Sequence, residues 1–506
     1  MNDMGVESEY DVDNSVQVYE EISGNPIANT MTDNREVTGG GKKELTQTFF
    51  SNGLAGISDI KGDSGSVQSS LFLAANYLTA SQSSSMGGAF AHSYLAGWQK
   101  YLGQDAFTAQ YTGVASGNLK TSQFLSLGPS IYSTQSYQAS GQYPLAFGIA
   151  LLKSQGSNDF SGQGAVIASG SCREGSISGQ MGAEIVVVPE EEYVIDPVAY
   201  GSHMTAQGDV GAGIIAAAGY LQASLKADEN PVTVDLKGQG ALAGAVAAGN
   251  GQVSVDYIEA WTDGQKSGAY EEDAEAEGGE FAAVGAAAGS LDSRLSLGAD
   301  TYSRLSGQGA LTGAVAGGED SFASADYTGA QTDGRETFSW GHDVHAEGDS
   351  LAAVASVSGS FRKVRAIGPN WPFMYSDSQF ALAGTMGTGR DSSASAAYLR
   401  SFADGNQASA QGWFLEAEGR RAAQAMAASG EWLDIDDDEL TVQDGSVIGL
   451  SAEKNAKVRA ELLSASSGHG ASSSGWGLAA RGDRSAMTYS ASGDEIEIEP
   501  DEVGVE

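Results

Sequence analysis

The stretch GQGALAGAVAAGNGQVSVDYIEAWTDG, residues 238 to 264, recurs as GQGALTGAVAGGEDSFASADYTGAQTDG at 307 to 334. Asp256-Tyr257 and Thr262-Asp263-Gly264 return as Asp326-Tyr327 and Thr332-Asp333-Gly334, 70 residues on in each case. A third copy starts at Ala381-Leu382-Ala383-Gly384 and carries Tyr398 and Asp404-Gly405, a further 71 residues along. Between the copies runs a second series, Gly219, Gly289, Gly359 and Gly430, at spacings of 70, 70 and 71. With GQGAVIASG at 162 to 170 as one more start, the array spans about 160 to 435. A fixed period of this kind means units that cannot bury a face alone and must stack on their neighbours.

Each period splits into two halves of about 35 residues, and each half reads as strand, turn, strand, turn. QVSVDYIEAW alternates so that Val253, Val255 and Tyr257 are expected on one face and Gln252, Ser254 and Asp256 on the other. Asn250-Gly251 is a preferred type I′ pair, because both central residues need positive φ. Asp263-Gly264, Asp333-Gly334 and Asp404-Gly405 mark further turns. The Ala runs argue for helix, but Gly recurs inside them, and each costs about 0.5–1 kcal/mol relative to Ala in a helix interior. EGRRAAQAMAASGEW, 418 to 432, is the most helix-like stretch and is still read as strand, since Gly430 falls in register with Gly359.

The expected fold is all-β: an extended antiparallel β-meander of hairpin repeats, closing or arching into a hoop-like sheet that assembles. Its parts are an acidic N-terminal arm at 1–60, a diverged hairpin region at 61–160, the repeat array at 161–435, and a C-terminal β region with an acidic tail at 436–506. Strands at about every 17 residues would give roughly two dozen, a sheet on the order of 115 Å wide. Open sheets seldom exceed about ten strands, so this one must close, stack or join copies of itself.

Charge narrows the partners. Lys and Arg total 26 against 65 Asp and Glu, a net charge of -39, which repels nucleic-acid phosphates and anionic headgroups. No nucleic acid partner and no membrane insertion are expected. Asp256 and Glu259, three apart on one strand, should point to opposite faces and keep lipid from either. The single cysteine, Cys172, rules out an intrachain disulfide. The first residues show no signal-peptide pattern, so the chain is expected to be cytosolic or to be numbered after a removed leader.

No catalytic constellation emerges. Gly62-Asp63-Ser64-Gly65 has the form of a serine-protease nucleophile loop, but all five histidines lie downstream of Ser64, against the order that fold requires. Gly238-Gln239-Gly240 followed by Ala243 fits a loose dinucleotide fingerprint, yet a turn follows within about seven residues where a helix is needed. His342 and His345 could offer two metal ligands, without an evident third. Asp434, Asp436, Asp437 and Asp438 form the densest acidic cluster and are the calcium candidates, though the spaced calcium-loop pattern is absent. Beyond possible Ca²⁺ no cofactor is expected, and no enzyme activity.

The array GQGALAGAVAAG, GQGALTGAVAGG, the AAAG series and the Asp-Tyr and Asp-Gly landmarks resemble the major sheath proteins of filamentous methanogenic archaea, of the Methanothrix type. That resemblance implies a secreted, β-rich, amyloid-like subunit that pairs with its own copies through strand edges into hoops, and stacks them into an extracellular tube around cells. The alternative is a soluble or cell-surface β-repeat adhesin or surface-layer component.

Overall fold

The structure is a computed structural model. It describes residues 5–12, 31–37, 43–51 and 54–498, except for short segments at 75–76, 102–103, 129, 156–158, 188–194, 227–231, 264–265, 298–300, 334–335, 369–370, 404–406, 431, 437–438 and 468–470. Among the described residues there is no helix, and the strands pair antiparallel. In chain order they are β1 (Gly5–Val12), β2 (Met31–Val37), β3 (Lys43–Ser51), β4 (Leu54–Gly62), β5 (Ser64–Ala74), β6 (Tyr77–Tyr101), β7 (Gln104–Leu127), β8 (Ser130–Gln155), β9 (Asp159–Cys172) and β10 (Glu174–Val187). Then come β11 (Ile195–Gly208), β12 (Gly211–Lys226), β13 (Val232–Ala248), β14 (Gly251–Thr262), β15 (Ser267–Gly278), β16 (Phe281–Leu297), β17 (Thr301–Gly317), β18 (Ser321–Thr332), β19 (Thr337–Gly348) and β20 (Leu351–Gly368). The last ten are β21 (Trp371–Thr388), β22 (Ser392–Ala403), β23 (Ala408–Gly419), β24 (Ala422–Gly430), β25 (Trp432–Asp436), β26 (Glu439–Glu453), β27 (Ala456–Ser467), β28 (Ser472–Trp476), β29 (Ala479–Arg481) and β30 (Ser485–Ile498). Two compact units result, Met1–Leu221 with Gln252–Gly264, and Gln222–Gly251 with Gln265–Glu506.

In the second unit the strands form two facing layers. One runs β13-β16-β17-β20-β21-β24-β26-β30. The other runs β15-β18-β19-β22-β23-β27, with β28 and β29 on the two halves of β27. Hairpins such as β16–β17 and β18–β19 alternate with connections that carry the chain across: β17 pairs with β16 and β20, whereas β18 pairs with β15 and β19. These crossing turns are arches.

The sequence marks the arches through backbone conformation. Gly249 and Asn250, Gly318 and Asp320, and Gly389 and Asp391 all have positive φ, at 73 and 53, 105 and 53, and 95 and 53 degrees. Asn and Asp are the non-glycine residues that visit this region most readily. Asn250 thus has the expected positive φ, but its positive-φ companion is Gly249 and not Gly251, and its repeat counterparts turn the chain between layers, not within a hairpin. Successive arches bond to one another. Gly318 N donates to the Glu280 carbonyl at 3.0 Å, Ser350 N to Gly317 at 2.9 Å, Gly389 N to Ser350 at 3.0 Å, Arg421 N to Thr388 at 2.9 Å, and Lys454 N to Arg421 at 2.8 Å. The turn backbone that would otherwise lie unpaired is satisfied by the neighbouring arch. Asp483 N joins the series by donating to the Lys454 carbonyl at 2.8 Å, which makes Arg481-Gly482-Asp483 an arch turn.

Between the layers there is little bulk. The inner face of β17 presents Ala310, Thr312, Ala314 and Ala316, and that of β18 presents Ala323, Ala325, Thr328 and Ala330, all buried. Hydroxyls bridge the gap: Ser339 Oγ lies 2.8 Å from Ser356 Oγ, Ser401 Oγ donates to the Ser356 carbonyl at 2.6 Å, and Thr332 Oγ1 donates to Gln308 Oε1 at 2.6 Å. A hydrogen-bonded hydroxyl costs little to bury and fills about the volume of a methyl group.

β15, β18, β19, β22, β23 and β27 are each 12 residues long and share one defect. At its middle each gives two successive residues to the outer side, so burial falls on positions 1, 3 and 5 and then on 8, 10 and 12. Asp273, Asp343 and Phe414 have positive φ there, at 46, 45 and 51 degrees, and the pairing skips from Glu272–Tyr327 to Ala274–Ala325. Both partners skip one residue, so the register is kept and no strand gains on its neighbour: the whole layer bulges outward along one aligned row, in place of the two-against-one β-bulge of a single strand. β14 in the first unit has the same pattern, burying Val253, Val255, Ile258 and Ala260. This corrects the alternation expected from sequence. Tyr257 leaves the face of Val253 and Val255, and Asp256 and Glu259 share the outer face, so the opposite-face argument against lipid loses its basis.

The first unit has the same two-layer logic with longer strands. β6, β7 and β8, of 25, 24 and 26 residues, are kinked near Gly88, Ser116 and Gly141, where φ is 148, 47 and 143 degrees. On the first side of its kink β6 pairs with β5, and on the other with β4. Likewise β8 pairs with β10 before its kink and with β9 after it. The interior here is amide-rich. Gln82, Gln123 and Gln135 lie side by side on β6, β7 and β8. Gln82 Nε2 donates to Gln123 Oε1, and Gln123 Nε2 to Gln135 Oε1 at 3.0 Å, with Ser58, Ser93 and Thr112 completing the chain. Such ladders of like amides also stabilise cross-β assemblies.

The arch conformation yields a first prediction. Asp320→Gly should leave stability within about 0.5 kcal/mol of wild type, whereas Asp320→Val, β-branched at positive φ, should cost about 1–2 kcal/mol. Denaturant midpoints of the two variants measure the difference.

Candidate assembly surfaces

Three surfaces offer chemistry: the strand edges, the outer face of the layer containing β13 and β16, and the outer face of the bulged layer. The edges come first because backbone alone makes them. Among the described strands β1 pairs only with β3, and β2 only with β5. At the other end of the chain β30 pairs only with β26, and β28 and β29 only with β27. Each of these strands presents a row of N–H and C=O groups to whatever lies beside it.

The outer face of the first layer of unit two is corrugated, and the register shows why. Cross-strand neighbours place Leu242, Ala287, Leu311, Val357 and Leu382 in one row and Val246, Ala283, Val315, Ala353 and Met386 in another. Between the two rows lies a third, Gly244, Gly285, Gly313, Ala355 and Gly384. A flanking row holds Gly240, Gly289, Gly309 and Gly359 and meets Phe380 on β21, so the glycines that repeat every 70 residues in the sequence share one row, two strands apart. Larger apolar ridges thus alternate with glycine grooves. None of residues 238–249, 281–291, 305–318, 351–361, 378–389 and 422–430 is charged.

The bulged layer is the opposite. Its outer face carries Glu272, Asp273, Glu275 and Glu277 on β15, Asp326 on β18, Asp343 and Glu347 on β19, and Glu416 and Glu418 on β23. Aromatic rings lie among them: Tyr270 stacks on Tyr327 at 6.1 Å, Phe338 on Trp340 at 5.0 Å, and the Arg400 guanidinium sits 4.9 Å from the Phe338 ring. Partial burial and the neighbouring Glu272 push Tyr270 up to about 12, and Glu272 also raises Tyr327. Lys457 bridges Glu416 at 2.7 Å and Glu418 at 3.2 Å, which raises its own pKa. At the bulges His342 Nδ1 lies 3.1 Å from Asp343 Oδ2 and 3.9 Å from Asp326 Oδ2, and all three residues are exposed. This is the Asp-Tyr landmark of the repeat brought beside the His342 motif.

His345 is turned elsewhere, its Nε2 3.1 Å from Glu347 Oε1. Of the calcium candidates, Asp437 and Asp438 lie outside the described residues, and Asp434 and Asp436 are described only as backbone in β25. Asp63 serves structure: its amide donates to the Gly87 carbonyl at 2.9 Å, and its carboxylate accepts from Ala89 N at 2.7 Å. Cys172 is exposed at the end of β9.

One residue escaped sequence reasoning. Glu271 occupies the fifth position of β15, where β19 has Gly341 and β23 has Gly412, and it points inward. Among the described residues it is the one fully buried charged side chain. Burial raises its carboxyl to about 8, offset in part by the Thr328 hydroxyl, which donates to Oε2 at 3.1 Å, and by the amides of Gly244 and Gly285. The period itself held the signal, since one copy has a carboxylate where the next two have glycine.

No family model, no curated protein and no solved structure matches this chain.

A second prediction follows from Glu271. Below about pH 4.5 the carboxyl is neutral whether the chain is folded or not, so no penalty arises. Between about 4.5 and 8 the folded chain keeps a proton that the unfolded chain releases, so stability falls as pH rises, and above 8 the full penalty remains. Glu271→Gln should therefore match wild type near pH 4 and exceed it by on the order of a few kcal/mol near pH 9, in denaturant melts at both pH values.

Proposed function

We propose that this chain is a non-enzymatic structural subunit that polymerises with its own copies through strand edges into an extracellular tubular sheath around cells. The observation that carries the proposal is that, among the described residues, strands towards both ends of the chain have a partner on one edge only: β1 and β2 at the start, β28, β29 and β30 at the end. Natural proteins usually blunt such edges, and leaving them open serves a subunit that must accept the next one. The repeat supports the same role, because identical courses let each added strand find the environment of the one before it. The acidic bulged face, in a chain of net charge -39, would keep finished assemblies apart and suits a surface bathed in salt water. Enzyme activity, resident cofactors and nucleic acid play no part in this proposal.

Electron microscopy of the purified full chain should show long tubes or hoops resistant to detergent. A peptide of the β30 sequence, SAMTYSASGDEIEI, should shorten them by occupying the receiving edge. Monodisperse particles at every concentration, or tubes indifferent to the peptide, would contradict edge pairing.

A further inference from the structure

The corrugated outer face of the second unit is exposed although it is apolar. Leu311 and Leu242 are 53% and 49% accessible, and Phe281, Leu291, Val246 and Val315 are also exposed. Five strands at about 4.8 Å and a dozen residues at about 3.4 Å give a face of on the order of 1,000 Å². The largest apolar patch on a typical monomer is about 300–600 Å².

We propose that a second copy of this chain covers this face, sheet against sheet, with the ridges of each copy in the glycine grooves of the other. Charge selects that occupant. With 65 acidic side chains, two copies meeting through the bulged faces set carboxylate against carboxylate, whereas here both partners offer a surface with none. Area agrees, since two such faces bury about 2,000 Å², above the roughly 1,600 Å² of a standard stable interface. The shape is self-complementary, as a two-fold pair requires: ridge and groove rows lie two residues apart along the strands, so a shift of about 7 Å brings one onto the other.

Gly309 adds an independent reason. A Cβ built there meets nothing within 4 Å, and at Gly289 the one neighbour, the Gln308 carbonyl, is at an ordinary 3.5 Å. Neither residue has the positive φ that would call for glycine. The chain on its own therefore has no use for a missing side chain at positions where glycine weakens a strand, while close approach of another backbone does. A lipid surface, the competing occupant, has no need of grooves.

The inference does not rest on edge pairing, because copies joined edge to edge leave the face open. The test uses full-length chain with Cys172→Ser and one new cysteine, Leu311→Cys on the corrugated face or Glu275→Cys on the bulged face. Maleimide labelling of Leu311→Cys should slow by about tenfold or more as protein is concentrated, and that of Glu275→Cys should not. Adding Gly309→Glu should abolish the protection while leaving the circular dichroism and the melting midpoint unchanged. Equal labelling of both cysteines at all concentrations would overturn the proposal. So would protection of Leu311→Cys that appears only with phosphatidylcholine vesicles. Tubes that persist with Gly309→Glu locate the effect in the face; loss of protection in chains that form no tubes would tie it to the edges and overturn the inference.

Discussion

The second unit depends on how closely two β-layers can approach when little stands between them. Its inner positions are mostly Ala, Gly, Ser and Thr with occasional Val, Leu or Ile, so each residue buries little apolar area and contributes correspondingly little hydrophobic stabilisation, whereas the first unit buries Leu78, Leu119, Leu125, Ile131 and its glutamines. Close approach recovers dispersion contacts and brings hydroxyls such as Ser339 and Ser356 within bonding distance across the gap. It also demands that the connections between layers be tight, which is why Gly and Asn or Asp recur at 249–250, 318–320 and 389–391. Backbone hydrogen bonding, repeated along every strand and from arch to arch, then holds what side-chain burial alone would not.

Much of this was legible in the sequence, and the exceptions have physical causes. The class of fold, the hairpin that joins β18 to β19 and the strand assignment of 422–430 follow from glycine placement and period alone, and Gly430 lies on the row that its register with Gly359 implies. The two-layer arrangement was not legible, because a hairpin turn and an arch use the same residues, and only the partners of the flanking strands tell them apart. The bulges were missed because simple alternation is the default for a strand, and an inserted residue shows only when burial switches parity, as it does after Asp326-Tyr327. What repeats in the sequence as an Asp-Tyr landmark is in the structure the mark of that switch.

The surfaces divide in the same way. Charge-free runs are visible in the sequence, but that they share one outer face, and that their glycines line up across strands, depends on register that only paired strands supply. Glu271 shows the other limit. A carboxylate in a repeat reads as solvated, and here it faces the Gly244 and Gly285 backbones between the layers; in the other copies Val344 and Leu415 crowd the glycine at this position, where the first copy has the smaller Ala274.

X-ray diffraction from aligned, dried protein tests the account most directly. Strand pairing throughout gives a reflection at about 4.7–4.8 Å, and the layers of the second unit, separated only by small side chains, should give a perpendicular spacing clearly below the roughly 10 Å of ordinary stacked sheets, alongside the wider one of the leucine- and glutamine-filled first unit. A pattern with no layer spacing below about 10 Å would contradict the account, since the inner faces of the second unit would then be held apart by bulk that these residues do not supply.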